Sequence, residues 1–137
     1  MRPQDWPEKL HDLIEQRRHA SFRWGSNDCC MFASDVALAM CGRDMAADYR
    51  GKYSSALGAR RLLGAGGVAG AMAKASVQVE FPEIPVMCAQ RGDVVMYDSE
   101  RGGDALGICL GMYCAFTGPD GITFISLRYC RKAWRVE

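Results

Sequence analysis

The residues of this chain most capable of chemistry are Asp28 and the cysteine that follows it, Cys29. They lie in the segment FRWGSNDCCMFASD, in which polar, turn-forming residues precede Asp28 and an apolar helical spacing follows it. This pattern predicts a helix that is capped by Asp28 and begins at Cys29. Unpaired backbone N–H groups and the positive end of the helix dipole at such a position favour a thiolate over a thiol. Cys29 is therefore a candidate nucleophile.

A nucleophilic cysteine usually needs a base, most often a histidine. The chain has two histidines, His11 and His19, and both precede Cys29. We expect His11 on the exposed side of a first helix and His19 at the end of that helix, where the dipole favours a cation. Neither is expected to serve Cys29, although a rearranged site that uses His19 stays open as an alternative.

The overall composition limits the kinds of protein that this chain can be. Its 137 residues are 49% hydrophobic and 24% charged, which predicts a single globular domain over residues 1–137. With 17 basic and 16 acidic residues, the chain lacks the charge excess of a nucleic-acid-binding protein. It has no apolar run of roughly 18 residues and no secretory signal, so we expect synthesis in a bacterial cytoplasm and no membrane insertion.

Seven cysteines in such a chain are expected to be reduced thiols, because a cytoplasm does not favour disulfides. The cysteines form no C-x-x-C motif and no cysteine–histidine pattern of a zinc finger, so we predict no bound metal and no cofactor. Most should be small buried apolar residues, and Cys30 is expected to be one of these. A metal shared with a partner stays open for the neighbouring Cys109 and Cys114. The seven are Cys29, Cys30, Cys41, Cys88, Cys109, Cys114 and Cys130.

Up to about residue 75, apolar residues recur at the spacing of a helix. From about residue 76, they form short apolar or alternating runs typical of strands. The predicted helices are Trp6 to about Arg18, Cys29 to a stop at Gly42, Ser54 to Leu63, and Val68 to Ala75. The predicted strands are Val77–Phe81, Asp93–Tyr97, Ala105–Leu110, Tyr113–Thr117, Ile122–Leu127 and Ala133–Val136. Turn residues separate the strands at 91–92, 99–103 and 118–121. Helices followed by antiparallel strands predict an α+β fold.

Three short motifs of this chain, and their order along it, resemble those of the NlpC/P60 superfamily of papain-like cysteine peptidases. The first, Asp28-Cys29-Cys30-Met31-Phe32, matches the family's D-C-x-x-F nucleophile motif, and the second, Arg91-Gly92-Asp93-Val94-Val95, matches its first core strand. The third, Ala105-Leu106-Gly107-Ile108-Cys109-Leu110-Gly111, matches H-V-G-I-Y-L-G except at the histidine. The resemblance implies a papain-like fold with N-terminal helices packed on an antiparallel sheet or half-barrel of five to six strands.

The resemblance also assigns site positions, and two of the three catalytic ones differ from the family. Cys29 takes the nucleophile position, Ala105 the histidine position, and Ser126, in Phe124-Ile125-Ser126-Leu127, the third polar position. An alanine accepts no proton, and a serine cannot orient an imidazole that is missing. Asp28 and Asp104 are weaker site candidates, and Trp24 is a candidate for the wall of a substrate groove.

The chain also resembles a phage- and prophage-encoded group of unknown function, through its W-G-x-x-D-C start, A-L-G-I-C-x-G middle and A-W-R-V end. Two hypotheses follow. The first is a structural or assembly protein of a phage tail tip or baseplate, located in the virion, with other tail-tip or hub proteins as partners. The second is an active cysteine hydrolase that cleaves peptidoglycan stem peptides during phage infection and uses Cys29 with a non-standard base.

Overall fold

Four helices form the first part of the chain in the computed structural model, which describes residues 2–99 and 103–137. They are α1 Trp6–Arg17, α2 Cys29–Cys41, α3 Ala56–Leu63 and α4 Gly67–Gln78. Helix α2 begins and ends as the sequence predicts, because the Asp28 side chain accepts the Met31 N–H and Gly42 adopts a left-handed conformation with φ of 79°. None of the described helices has the length and apolarity needed to cross a bilayer.

The second part of the chain forms one antiparallel sheet of six strands among the described residues, in the order β1-β6-β2-β3-β4-β5. The α+β prediction is therefore confirmed. The strands are β1 Glu83–Ile84, β2 Val94–Ser99, β3 Gly103–Cys109, β4 Tyr113–Gly118, β5 Gly121–Ser126 and β6 Cys130–Trp134. Short 3-10 helices at 86–88 and 127–129 precede β2 and β6.

Two strand predictions need correction, and one predicted turn lies partly outside the described residues. The strand predicted at Val77–Phe81 is wrong, because the alanine-rich α4 continues to Gln78 and Glu80 then takes a positive φ of 61°. The final strand ends at Trp134, so the predicted Ala133–Val136 covers only its last residues. Of the predicted turn at 99–103, residues 100–102 are not described.

The two faces of the sheet bury two separate apolar clusters. On one face, α2 packs through Phe32, Val36 and Met40 against residues such as Val94 and Ile108, which form the first core. The opposite face holds a second core, composed of Val95, Cys109, Cys114, Phe116, Cys130 and Ala133. Because side chains alternate along a strand, neighbours in β3 contribute to different cores. This packing fixes the start of α2 against β3.

Candidate functional site

Asp28 anchors the start of α2 through three hydrogen bonds. Its Oδ1 accepts the N–H of Met31 at 2.9 Å, and its Oδ2 accepts the N–H of Gly25 at 2.8 Å and the hydroxyl of Tyr53 at 2.5 Å. The side chain is almost fully buried. Burial and the hydrogen bond to Asp28 raise the pKa of Tyr53 far above its ordinary value, so this phenol stays a donor. Asp28 therefore links the loop before α2, the helix itself and the segment before α3.

Cys29 is half-buried, and its sulfur lies 3.9 Å from the sulfur of Cys30. The pKa of Cys29 is lowered, chiefly by the hydrogen bond from the Cys30 thiol and then by the N–H groups of Leu106 and Cys30, against the effects of burial and of the nearby Asp28 charge. The pKa of Cys30 is raised, because this thiol is the donor in the pair and is itself buried. Of the two, Cys29 is the thiol that ionises first.

A cavity of about 620 Å³ opens in front of Cys29. It is walled by the start of α2, by α3, by the loop between α3 and α4 and by the first residues of β3. Trp24, which is 40% exposed and whose ring packs edge-to-face on Phe22 at 4.8 Å, forms part of the wall. This volume is within the range of small-ligand sites.

Ala105, at the position where the resemblance to the NlpC/P60 superfamily predicts a histidine, lies in β3 opposite Tyr97. Both Ala105 and Asp104 line the cavity, so the structure brings five of the six sequence-predicted site positions, 24, 28, 29, 104 and 105, to one place. His11 and His19 are not among the described residues that line it. The cavity therefore presents the Cys29 thiol without an imidazole from this chain.

The structure does not bring Ser126 to this cavity. Ser126 is the last residue of β5 and pairs with Tyr113, whereas the β4–β5 hairpin closes at Gly118 and Gly121. Extension of the β3–β4 register places Ala105 beside Gly118. Ala105 and Ser126 therefore lie level with opposite ends of β4. At about 3.4 Å per residue, Ser126 lies roughly 17 Å along the strand from that level.

Thr117 of β4 is the polar residue from the next strand that lines the Cys29 cavity. Its hydroxyl oxygen is buried and has no hydrogen-bond partner among the described residues. Buried polar atoms are nearly always paired, so this hydroxyl is an exception among the residues of the cavity wall. Thr117 is not among the predicted site residues, because the resemblance assigns the third polar position to Ser126, on the following strand.

Arg60 and Tyr53 also line the cavity and were missed, since neither belongs to a motif. Arg60 reaches the cavity because α3 forms part of the cavity wall. The described residues contain no group of three or more histidine, cysteine, aspartate or glutamate side chains arranged to hold a metal ion. The described residues that line the cavity thus carry thiols, carboxyl groups, hydroxyls and the guanidinium of Arg60.

Comparison with known proteins identifies a family for the whole chain and a solved structure with a similar fold. The model of a family described as "Domain of unknown function (DUF6950)" matches residues 1–136, and no curated protein matches the chain. Among solved structures, the crystal structure of the NlpC/p60 domain of the peptidoglycan hydrolase SagA is similar, with a TM-score of 0.58 and 18% identity. The alignment covers 93% of this chain and 96% of that one. The chain therefore belongs to the DUF6950 family and has the NlpC/p60 fold.

Proposed function

We propose that this chain is a catalytically inactive NlpC/p60-fold domain that serves as a structural or assembly component of a phage tail tip. The observation that carries the loss of catalysis is the alanine at position 105, beside a cysteine that keeps its place at the start of α2. The resemblance to the phage- and prophage-encoded group, in three short sequence motifs, supports the tail-tip location and the tail-tip or hub partners.

Peptide hydrolysis by a cysteine requires two proton transfers that this cavity does not provide. The leaving amine must receive a proton, and water must lose one when it attacks the acyl-enzyme. An imidazole can perform both steps near neutral pH, whereas carboxyl groups and hydroxyls, the groups that Asp104 and Thr117 supply, are poorly matched to both. Loss of a triad base costs about 10⁴ to 10⁶ in rate in serine proteases.

An assembly role needs a surface outside the cavity, and exposed apolar side chains lie at the far end of the sheet. Met112 is 80% exposed, Tyr113 58% and Phe124 48%. Tyr113 and Phe124 are diagonal neighbours across β4 and β5, and Met112 is at the adjacent hairpin tip. Clustered exposed apolar residues mark protein interfaces. We place the contact with other tail-tip proteins at this end of the sheet.

The test is a pair of variants made in a phage that encodes this chain. Cys29→Ala should leave particle assembly and infectivity unchanged, whereas Met112→Asp with Phe124→Asp should reduce the number of complete tails. Both variant proteins are first checked for folding by circular dichroism. Cys29→Ala particles with intact tails that fail to deliver their genome would contradict the proposal.

A second candidate function is supported by the thiol itself. The lowered pKa of Cys29 and a cavity of about 620 Å³ walled in part by Trp24 are two features that a cysteine hydrolase of peptidoglycan stem peptides would use. Asp104, His19 or a residue of a partner would have to act as the base. The assay is release of stem-peptide fragments from purified peptidoglycan by the reduced protein, with Cys29→Ala as the control. Equal release by both proteins, or none, ends this candidate.

A further inference from the structure

Two thiols meet at the start of α2, in the wall of the Cys29 cavity. Adjacent side chains of a helix point about 100° apart, yet the sulfurs of Cys29 and Cys30 lie 3.9 Å from each other. Both residues are half-buried, and both line the cavity of about 620 Å³. A small ligand that enters the cavity therefore meets two sulfur atoms side by side.

The two thiols are poorly placed to form a disulfide with each other. Neighbouring Cα atoms across a trans peptide are about 3.8 Å apart, whereas disulfides span roughly 4.4 to 6.8 Å. A bond between the two sulfurs would need a change in the backbone of the first turn of α2, which the Asp28 side chain caps. The pair therefore stays available as two separate sulfur donors.

The distance between the two sulfurs fits a metal ion that is held by both. With metal–sulfur bonds of about 2.3 Å, the length of Zn–S bonds, the two sulfurs lie about 3.8 Å apart at a tetrahedral angle and about 4.6 Å apart at a linear one. The observed 3.9 Å between Cys29 and Cys30 is within this range. An ion can thus replace the proton that the two sulfurs share, with little movement of either side chain.

The set of donor atoms selects the kind of ion. No group of three or more histidine, cysteine, aspartate or glutamate side chains in the described part of the chain is arranged to hold a metal, so the ion must be one that two thiolates can hold. Structural Zn²⁺ takes four ligands, whereas Cu(I) is a soft ion that thiolates select. Two thiolates and one Cu(I) carry a net negative charge, which the positive end of the α2 dipole stabilises. The guanidinium of Arg60, in the cavity wall, adds a positive charge nearby.

We propose that Cys29 and Cys30 form a binding site for a soft, thiophilic metal ion, Cu(I), in the cavity at the start of α2. The two thiols lose their protons to solvent and two S–Cu bonds form. No electron is transferred, because the copper arrives as Cu(I). An adjacent pair of cysteines lies outside the C-x-x-C and zinc-finger patterns on which the prediction of no bound metal depends. The site uses the cavity alone and is independent of the tail-tip role.

The first experiment titrates the full, reduced chain with Cu(I) under nitrogen, in competition with the coloured Cu(I) chelator bathocuproine disulfonate. We expect one Cu(I) per chain. Cys29→Ala and Cys30→Ala should each weaken binding by more than the roughly 10- to 100-fold that follows loss of an outer-shell partner of a metal. Cys88→Ala, at an exposed cysteine outside the cavity, is the control and should bind as the wild type does. Circular dichroism checks folding, and wild-type affinity in a folded Cys29 or Cys30 variant overturns the proposal.

Alkylation of the wild type locates the ion without any substitution. One equivalent of Cu(I) should protect Cys29 and Cys30 from iodoacetamide, whereas Cys88 should react as before. Mass spectrometry reads this from the tryptic peptide between Arg23 and Arg43, whose fragment ions separate the pair from Cys41. A pair that still reacts, or protection of other cysteines in its place, overturns the proposal.

Zn²⁺ provides the second arm of the titration. Because two thiolates satisfy a soft Cu(I) ion and leave Zn²⁺ short of ligands, Zn²⁺ should bind the wild type at least about tenfold more weakly than Cu(I) does. Equal or tighter binding of Zn²⁺ would overturn the assignment of the site to Cu(I).

Discussion

Cys29 and Cys30 are adjacent in sequence, yet their contacts shift the two thiol pKa values in opposite directions. Cys29 receives hydrogen bonds from Cys30 and from the N–H of Leu106, so its thiolate is stabilised. Cys30 supplies the proton of that pair. The lowered pKa of Cys29 is therefore caused by its neighbours in α2 and β3, and no histidine among the described lining residues is needed to explain it.

Alkylation by iodoacetamide should report this acidity, because only the thiolate reacts. Since the pKa of Cys29 is lowered, its alkylation should continue at pH values below the ordinary thiol pKa of about 8.5. Cys30→Ala removes the largest cause of the shift, so the midpoint of the rate–pH curve should move to higher pH. Cys88→Ala is the control and should leave the curve in place. A midpoint that stays or falls in Cys30→Ala would show that Cys30 is not the donor.

Tyr53→Phe tests the buried carboxylate at the start of α2. The change removes the hydroxyl that donates to Asp28 at 2.5 Å and leaves an almost fully buried acceptor with one donor fewer. We expect a loss of about 1–3 kcal/mol in the free energy of unfolding, measured with urea. Tyr113→Phe, at an exposed tyrosine, is the matched control and should change it by less than about 0.5 kcal/mol. A similar loss in both variants would contradict the role given to Tyr53.

Short sequence motifs predict those helix ends and turns that depend on interactions between neighbouring residues. The bounds of α2 follow from a capping aspartate and a left-handed glycine, and the β4–β5 hairpin follows from Gly118-Pro119-Asp120-Gly121. The strand predicted at Val77–Phe81 failed because three apolar residues in a short run fit the end of a helix as well as a strand. Tertiary packing of α4 decides between the two.

The site could be predicted only in part, for the same physical reason. Cys29 and Asp28 are adjacent in one short motif, so the sequence alone predicts that they lie close together. Thr117 and Arg60 reach the cavity through the sheet register and the packing of α3, which no short motif encodes. The register also moves Ser126 to the other end of the sheet, although its sequence word resembles that of the family.

The loop after α2 is held by an ion pair that makes stability depend on pH. Asp44 accepts two hydrogen bonds from Arg50, at 2.8 and 3.0 Å, and these lower the pKa of Asp44. A carboxyl group whose pKa is lower in the folded state stabilises the fold above its ordinary pKa of about 3.9 and loses this contribution as the pH falls through the lowered value.

Asp44→Asn should therefore flatten the dependence of the free energy of unfolding on pH below about 4, where the wild type loses stability as Asp44 takes up its proton. Urea unfolding at a series of pH values measures the slope. Asp48→Asn, at an exposed aspartate of the same loop, is the matched control and should keep the wild-type slope. An unchanged slope in Asp44→Asn would rule out this source of acid sensitivity.

At the scale of the whole molecule, a buried carboxylate joins the two ends of the chain to the sheet. Asp93 is fully buried, and its oxygens lie 2.7 Å from the guanidinium of Arg2 and 3.2 Å from that of Arg135. It also accepts the N–H of Val136 at 3.1 Å. Asp93 therefore ties segments near both ends of the chain to the start of β2.

Asp93→Asn should be the most destabilising of these substitutions, because it leaves two guanidinium groups without their carboxylate in a largely buried setting. Removing one member of a buried ion pair costs about 3–5 kcal/mol, and we expect a loss of that order in the free energy of unfolding by urea. Asp98→Asn is the matched control. Its pair with Arg131, at 3.0 Å, is more than half exposed on the arginine and half exposed on the aspartate, so its loss should cost no more than about 1 kcal/mol. Equal effects of the two variants would mean that Asp93 does not hold the ends of the chain, and that the apolar cores alone keep the sheet and α2 in register.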